Sequence, residues 1–252
     1  MSTRIVSLVP SLTEALFDLG LGARVVGVTE WCVHPADGVA ALPKVGGTKD
    51  TDVAAVLALR PDLVIANHEE NTRRTVERLE AAGVPVWVTY PRTVREAAEL
   101  LRALAGLGAG EAAIRSVVEP VEQAVAEAEQ ALPAVPTRVF CPIWRDPWMS
   151  VGPDTYAHAL IALSGGENVF ADRRGRRYPI VTLDEVAAAA PEVILLPDEP
   201  YAFGARDVAE LRGLGARTHC IDGTWVSWYG ARIRPALTAI RRLLHPPPSD
   251  AP

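Results

Sequence analysis

The sequence predicts an α/β protein of two lobes, each a parallel sheet flanked by helices, joined by one long helix. Three observations carry that prediction. Short β-rich runs alternate with Ala/Leu-rich helical patterns, which is the signature of parallel βα units. A long helix-favouring stretch with no strand signal divides the chain near its middle. The alternating blocks on either side of that stretch echo one another.

Taken in order, "RIVSLV" reads as the first strand and "SLTEALFDLG" as a helix. Ser11 and Glu14 have the spacing of a capping box, and Gly20 suits a C-terminal stop. "VVGV" (25–28) is a strand, "DVAAVLALRP" a helix and "DLVIAN" a strand. "TRRTVERLEAAG" is a helix, "VPVWVT" a strand, and another helix starts near Thr93 with Glu three residues on. From Glu111 the chain favours helix until Pro133 and Pro136 end it, and Pro120 is placed to kink or restart that helix. The expected organisation is an N-terminal lobe over 1–110, a linking helix over 111–133 and a C-terminal lobe from 134, opening on "TRVFC". "LALRPDLVIAN" (57–67) is echoed by "AAAAPEVILLPD" (187–198), and "LVPSLTEALFDLG" more faintly by "SVGPDTYAHALIALSGG", as two lobes of one topology would produce.

Composition narrows the function classes. A chain of 252 residues, 49% hydrophobic, buries a substantial core. Its net charge of -6 argues against a nucleic-acid partner, which needs a basic face. "RRGRR" (173–177) reads as a solvated loop. Cys32, Cys141 and Cys220 follow neither disulfide nor zinc spacing and read as free thiols in or near the core. No stretch is long enough to span a bilayer. "MSTRIVSLVPS" lacks the apolar run of a secretory signal, so the chain as written reads as cytoplasmic, and as periplasmic or extracellular if a signal or lipoprotein segment has been trimmed.

Two parallel-sheet lobes on one rigid helix are expected to leave a cleft lined by the loops that follow the strands, where open α/β sheets bind ligands. Those loops carry Glu30, Trp31, Cys32 and His34; Asn67, His68, Glu69 and Glu70; and Tyr90. In the second half they carry Trp144, Arg145 and Trp148; Asp198, Glu199, Tyr201 and Phe203; and Asp222, Trp225, Trp228 and Tyr229. Aromatic residues make up 6% of the chain, yet five of the six tryptophans fall here. Large rigid apolar faces suit a flat or bulky ligand. Arg145, His34, His68 and Glu199 are the polar groups expected to orient it.

The motifs "IVSLVPSLTEALFDLGLGARVVGVT", "LRPDLVIA", "LSGGENVFAD" followed by Tyr178-Pro179, and "WVSWYGARIRPAL" together resemble the class III, helical-backbone substrate-binding proteins of ABC importers, most closely their vitamin B12 (cobalamin)-binding group. The resemblance implies two Rossmann-like lobes, a linking helix, little hinge motion, and a corrinoid or other metal-chelate held between aromatics. It implies a monomeric, non-enzymatic binding protein with no intrinsic cofactor. Trp31, Trp148, Trp225 and Tyr178 match its aromatic positions, Trp87 lies one position from another, and Asn67 stands where an aromatic is expected. The family docks on an ABC permease through one exposed Glu per lobe, and those positions hold Arg73 and Ser227 here.

Other readings remain open at this point. A siderophore or heme binder of the same fold would use the same loops. One His reaching a cobalt or heme iron axially is chemically sensible. His34 and His68 with Glu30, Glu69 and Glu70, joined by Asp198, Glu199 and Asp222, would bind a bare metal only if three or four of them converge. An enzyme subunit handling a cofactor in the cytoplasm is the reading from a different class. Against it, the chain lacks a G-x-S-x-G, P-loop or C-x-x-C motif, and "HEEN" (68–71) is its only dense acid–base cluster.

Overall fold

The computed structural model describes residues 3–247. The first sheet has the strands β1 (Ile5–Ser7), β2 (Val25–Val28), β3 (Leu63–Asn67) and β4 (Val86–Thr89), all parallel, in the order β2-β1-β3-β4. Next in the chain come β5 (Thr137–Phe140), β6 (Pro142–Trp144), β7 (Met149–Ser150), β8 (Gly166–Asn168), β9 (Val193–Pro197) and β10 (Arg217–Ile221). Of these, β8-β5-β9-β10 form a second parallel sheet, while β6 and β7 make an antiparallel hairpin. Each sheet therefore runs second, first, third, fourth strand in chain order. The two are one topology used twice. The chain divides into two compact units, Met1–Pro91 with Ala97–Val121 and Tyr229–Ala231, and Arg92–Glu96 with Glu122–Trp228 and Arg232–Pro252.

The duplication reaches individual atoms. Before β1, Arg4 donates through its guanidinium to the carbonyls of Leu59 and Arg60, and its backbone N–H bonds Asp62 Oδ2 at 2.8 Å. In β5, Arg138 donates to the carbonyls of Ala189 and Ala190, and its N–H bonds Glu192 Oε2 at 2.9 Å. Both clasped segments turn through a left-handed residue immediately before a proline, Arg60 (φ 48°) and Ala190 (φ 44°). In each unit an arginine at the start of the first strand thus satisfies the last carbonyls of the helix that leads into the third. This is the structural content of the echo between "LRPDL" and "AAPEV".

Several helices obey local capping rules. Asp52, Thr72, Thr155 and Thr182 cap their helices, and Thr182 with Glu185 completes a capping box. The expected Ser11–Glu14 box does not form. Pro10 is the first residue of the helix Pro10–Asp18, with Val9 as its uncapped N-cap, and Ser11 is buried. Proline at the first position presets the backbone angle there and starts the helix two residues earlier than the cap signal implies. The helical run beginning at Glu111 continues to Gln130 and passes through a π turn at Ile114–Val118. Pro120 has no N–H for the carbonyl four residues before it, and the turn widens there.

The cores differ in kind. The first unit packs Val6, Leu8, Val45, Val53, Val56, Val64 and Leu79. The second packs Phe140, Trp148, Phe170 and Phe203 among Val181, Val186, Ile194, Leu196 and Leu211. Cys32 and Cys141 are buried as expected, while Cys220, on the edge strand β10, is exposed. No helix among the described residues is long and apolar enough to cross a membrane.

Candidate functional site

In the first unit the loops at the C-terminal ends of β1, β2 and β3 are tied to the segment 44–51. Glu30 donates its N–H to Gly46, Lys44 Nζ donates to the Cys32 carbonyl at 3.2 Å, and Lys49 Nζ donates to the Glu69 carbonyl. Asn71 reaches the carbonyls of Leu8 (3.2 Å) and Thr48 (3.0 Å). On this braced surface Trp31 is 64% exposed, and Val33 and His34 are exposed beside it. The exposed His68 lies 4.4 Å, ring to ring, from Tyr90. Beneath Trp31, Cys32 Sγ sits 3.1 Å from the hydroxyls of Thr13 and Thr29, and burial pushes its thiol pKa up. Asn67, where an aromatic was expected, is buried. Its Oδ1 accepts the N–H groups of Glu69 and Glu70 and so folds the loop. Trp87 is half-buried within β4.

In the second unit the chain leaves β5 and forms a hairpin that sequence reasoning did not foresee. Trp144 pairs with Met149, and Met149 pairs in turn, antiparallel, with Ile180. The 149–180 pair is flanked by hydrogen bonds from Ser150 N–H to Pro179 O (2.9 Å) and from Val181 N–H to Trp148 O (3.0 Å). Directly opposed residues share a face of a pleated ribbon. Trp144 (43% exposed), Met149 and Ile180 (54% exposed) therefore make an apolar row. Trp148, one residue along, falls on the other face and enters the core, where it stacks on Phe203 at 5.7 Å with the planes 7° apart. The expectation that Trp148 offers its face to a ligand is corrected by that alternation.

The remaining expected residues separate in the same way. Tyr201 meets Trp144 edge-on at 5.6 Å and Phe203 at 4.7 Å, which links the exposed ring to the core aromatics. Tyr178, two residues before Ile180, is 38% exposed, with the Arg177 guanidinium 5.9 Å from its ring. Trp225 is half-buried on the short helix Thr224–Ser227. Trp228 is buried under the Arg232 guanidinium, 4.8 Å away, and is a packing residue. Arg145, expected to orient a ligand, is 8% exposed and spent on Asp207 and Glu210. Its pKa is raised, first by the hydrogen bond to Asp207. Glu199 is half-buried and accepts the Ser227 hydroxyl at 2.7 Å. Arg73, fully out in solvent, pairs with Glu77 at 2.6 Å.

Among the described residues no three His, Cys, Asp or Glu side chains converge as a metal site. Sequence reasoning missed Met149 and Ile180. An isolated apolar residue in a loop has no periodicity to mark it, and only the pairing of residues some thirty positions apart puts Ile180 beside Met149.

Residues 5–212 match the family model described as periplasmic binding protein. A vitamin B12-binding protein of Yersinia pestis is 29% identical over 194 residues, covering 77% of this chain and 69% of that one. The periplasmic vitamin B12-binding protein BtuF of Vibrio cholerae superposes with a TM-score of 0.84 at 25% identity over 96% of both chains. The apo periplasmic heme-binding protein RhuT of Roseiflexus sp. RS-1 does so with a TM-score of 0.78 at 28% identity, covering 96% of this chain and 97% of that one.

Proposed function

The chain belongs to the periplasmic binding protein family, and from that premise we propose that it captures cobalamin or a similar corrinoid as the solute-binding component of an ABC importer, without catalysing a reaction. The observation that carries this reading is the apolar row Trp144–Met149–Ile180, exposed at Trp144 and Ile180 and half-buried at Met149, with Tyr201 against Trp144. An exposed row of large apolar side chains on an ordered ribbon is costly to leave in water unless something covers it. A broad macrocycle does so while losing little side-chain entropy in the rings that receive it. In the first unit, Trp31 is the large aromatic exposed on its braced loop. The B12-binding relatives support the corrinoid, and their periplasmic location fits the second of the two locations considered from the sequence. Glu77 beside Arg73, and Glu199 beside Ser227, are the carboxylates we assign to permease docking in place of the family's two Glu positions.

Calorimetric titration with cyanocobalamin and cobinamide tests the reading. Sub-micromolar binding is expected. Trp144→Ala and Trp31→Ala should each weaken it by about 1–3 kcal/mol, the range of aromatic anchors, without lowering the melting temperature. Unchanged affinity in both variants removes the aromatic assignment.

Heme is the second reading. It is favoured by the exposed His68, an axial-ligand type, and by the arginines of 173–177 beside Tyr178, which suit carboxylates on a macrocycle rim. A heme-binding protein stands among the structural relatives. Hemin titrated by visible absorbance separates the two, because heme and corrinoid spectra differ.

A further inference from the structure

Arg145 occupies the four-residue turn of the hairpin, between the exposed Trp144 and the core residue Trp148. One arm of its guanidinium, Nη1, donates to Asp207 Oδ1, and the other, Nη2, to Glu210 Oε2, both on the helix Ala205–Leu211. Asp207 is itself 4% exposed, and its second oxygen accepts the Gly204 N–H at 2.9 Å, so the carboxylate is used on both sides. Asp146 Oδ2 lies 3.8 Å from Arg145 Nε. The guanidinium carbon lies 5.4 Å from the centre of the Trp148 ring. One side chain thus ties the ribbon turn to the helix that follows the Tyr201 loop, directly behind the Trp144–Tyr201 contact.

A buried ion pair is a poor way to gain stability, since desolvation consumes most of the attraction and an apolar replacement does about as well. What a fork with two fixed acceptors supplies is a single geometry. We propose that Arg145 is a positioning residue: clamped between Asp207 and Glu210, it sets the tilt of the Trp144–Met149–Ile180 row against Tyr201 and so decides which macrocycle the row accepts. This rests on the binding function proposed above. Arg145 touches no ligand and acts through Trp144.

The test uses Arg145→Lys, with Glu210→Ala as a milder second variant that removes the acceptor of one arm while Asp207 keeps the other. Lysine retains the charge facing Asp207, so the variant folds, but one ammonium cannot span both carboxylates in the arginine's fixed fork. Hydrogen exchange on the ligand-free protein should quicken about tenfold at amides 142–151 and stay unchanged in the helix Tyr156–Leu163. Cyanocobalamin and hemin are then titrated into wild type and variants. For whichever the wild type binds, the lysine variant should lose about tenfold in affinity, some 1.4 kcal/mol, and the bound absorbance band should change shape. A loosened ribbon with wild-type affinity and spectrum would overturn the positioning role, as would a ribbon no looser than wild type. If the wild type binds neither probe, the proposed function fails, and the exchange measurement alone still decides whether Arg145 sets the ribbon.

Discussion

The two units share a strand order and an arginine clasp, yet they fasten the loops beyond their strands by opposite means. The first uses polar contacts to backbone: the chain's two lysines, Lys44 and Lys49, and Asn71 all terminate on carbonyls of neighbouring loops. The second uses rings and a buried charge. Aromatic contacts run unbroken from Trp144 through Tyr201, Phe203 and Trp148 to Phe140 and Phe170, with Arg145 over Trp148. The sheet demands only backbone geometry and the clasp only an arginine and a carboxylate at fixed positions, so two otherwise different sequences satisfy them alike. The loop surfaces are not under that demand, and there the units have diverged.

The widest gap between the units should appear on truncating one tryptophan in each. Trp148→Ala opens a cavity under the ribbon and should cost about 3–5 kcal/mol. Trp31→Ala, at a site 64% exposed, should stay within about 0.5 kcal/mol. Denaturant unfolding with exchange mass spectrometry assigns each loss to its unit, which matters because two compact units need not unfold as one transition. Equal losses would mean that Trp148 is not the core residue its stacking implies.

The clasps should behave as twins. Arg4→Ala and Arg138→Ala each remove charged hydrogen bonds to helix-end carbonyls, at about 1–3 kcal/mol. Each loss should fall on its own unit. A loss in only one would break the equivalence.

Acid should separate the units by the smallest margin. Burial lowers the pKa of His158 and of His219 below the ordinary 6.5, and both belong to the second unit. A base depressed in the fold prefers to take up its proton in the unfolded chain. That unit is therefore at full stability above pH 6.5, loses it as pH falls through 6.5, and goes on losing it down to the folded values. Asp207 adds a later loss. Burial opposes its charge, but the Gly204 N–H and Arg145 outweigh that and hold it below the usual carboxylate range. Its contribution is present above about pH 4 and disappears as pH falls through the depressed value. Melting curves from pH 7 to 5 should show the His158 part, and His158→Gln should flatten it.

The strands were legible because parallel sheets are covered on both faces, and "LVIAN" and "VILLP" read as continuous apolar runs. The echo between "LRPDL" and "AAPEV" was legible too, although only the folded chain shows that it encodes an arginine clasp. The roles of the tryptophans were less so. Trp144 and Trp148 have the same chemistry four residues apart, and their opposite fates follow from the pairing of 149 with 180. The same holds for Arg145. Its charge was visible, but the carboxylates that claim it lie more than sixty residues on.

By itself the sequence determined the alternation of strands and helices, the repetition of one βα plan and the family. All of these depend on local pattern, and local pattern is carried by neighbouring residues. Which rings face water and which fill the core, and which carboxylates a buried arginine meets, only the tertiary structure decided. Those outcomes depend on strand alternation and on partners brought from distant parts of the chain, and neither is a property of any short stretch.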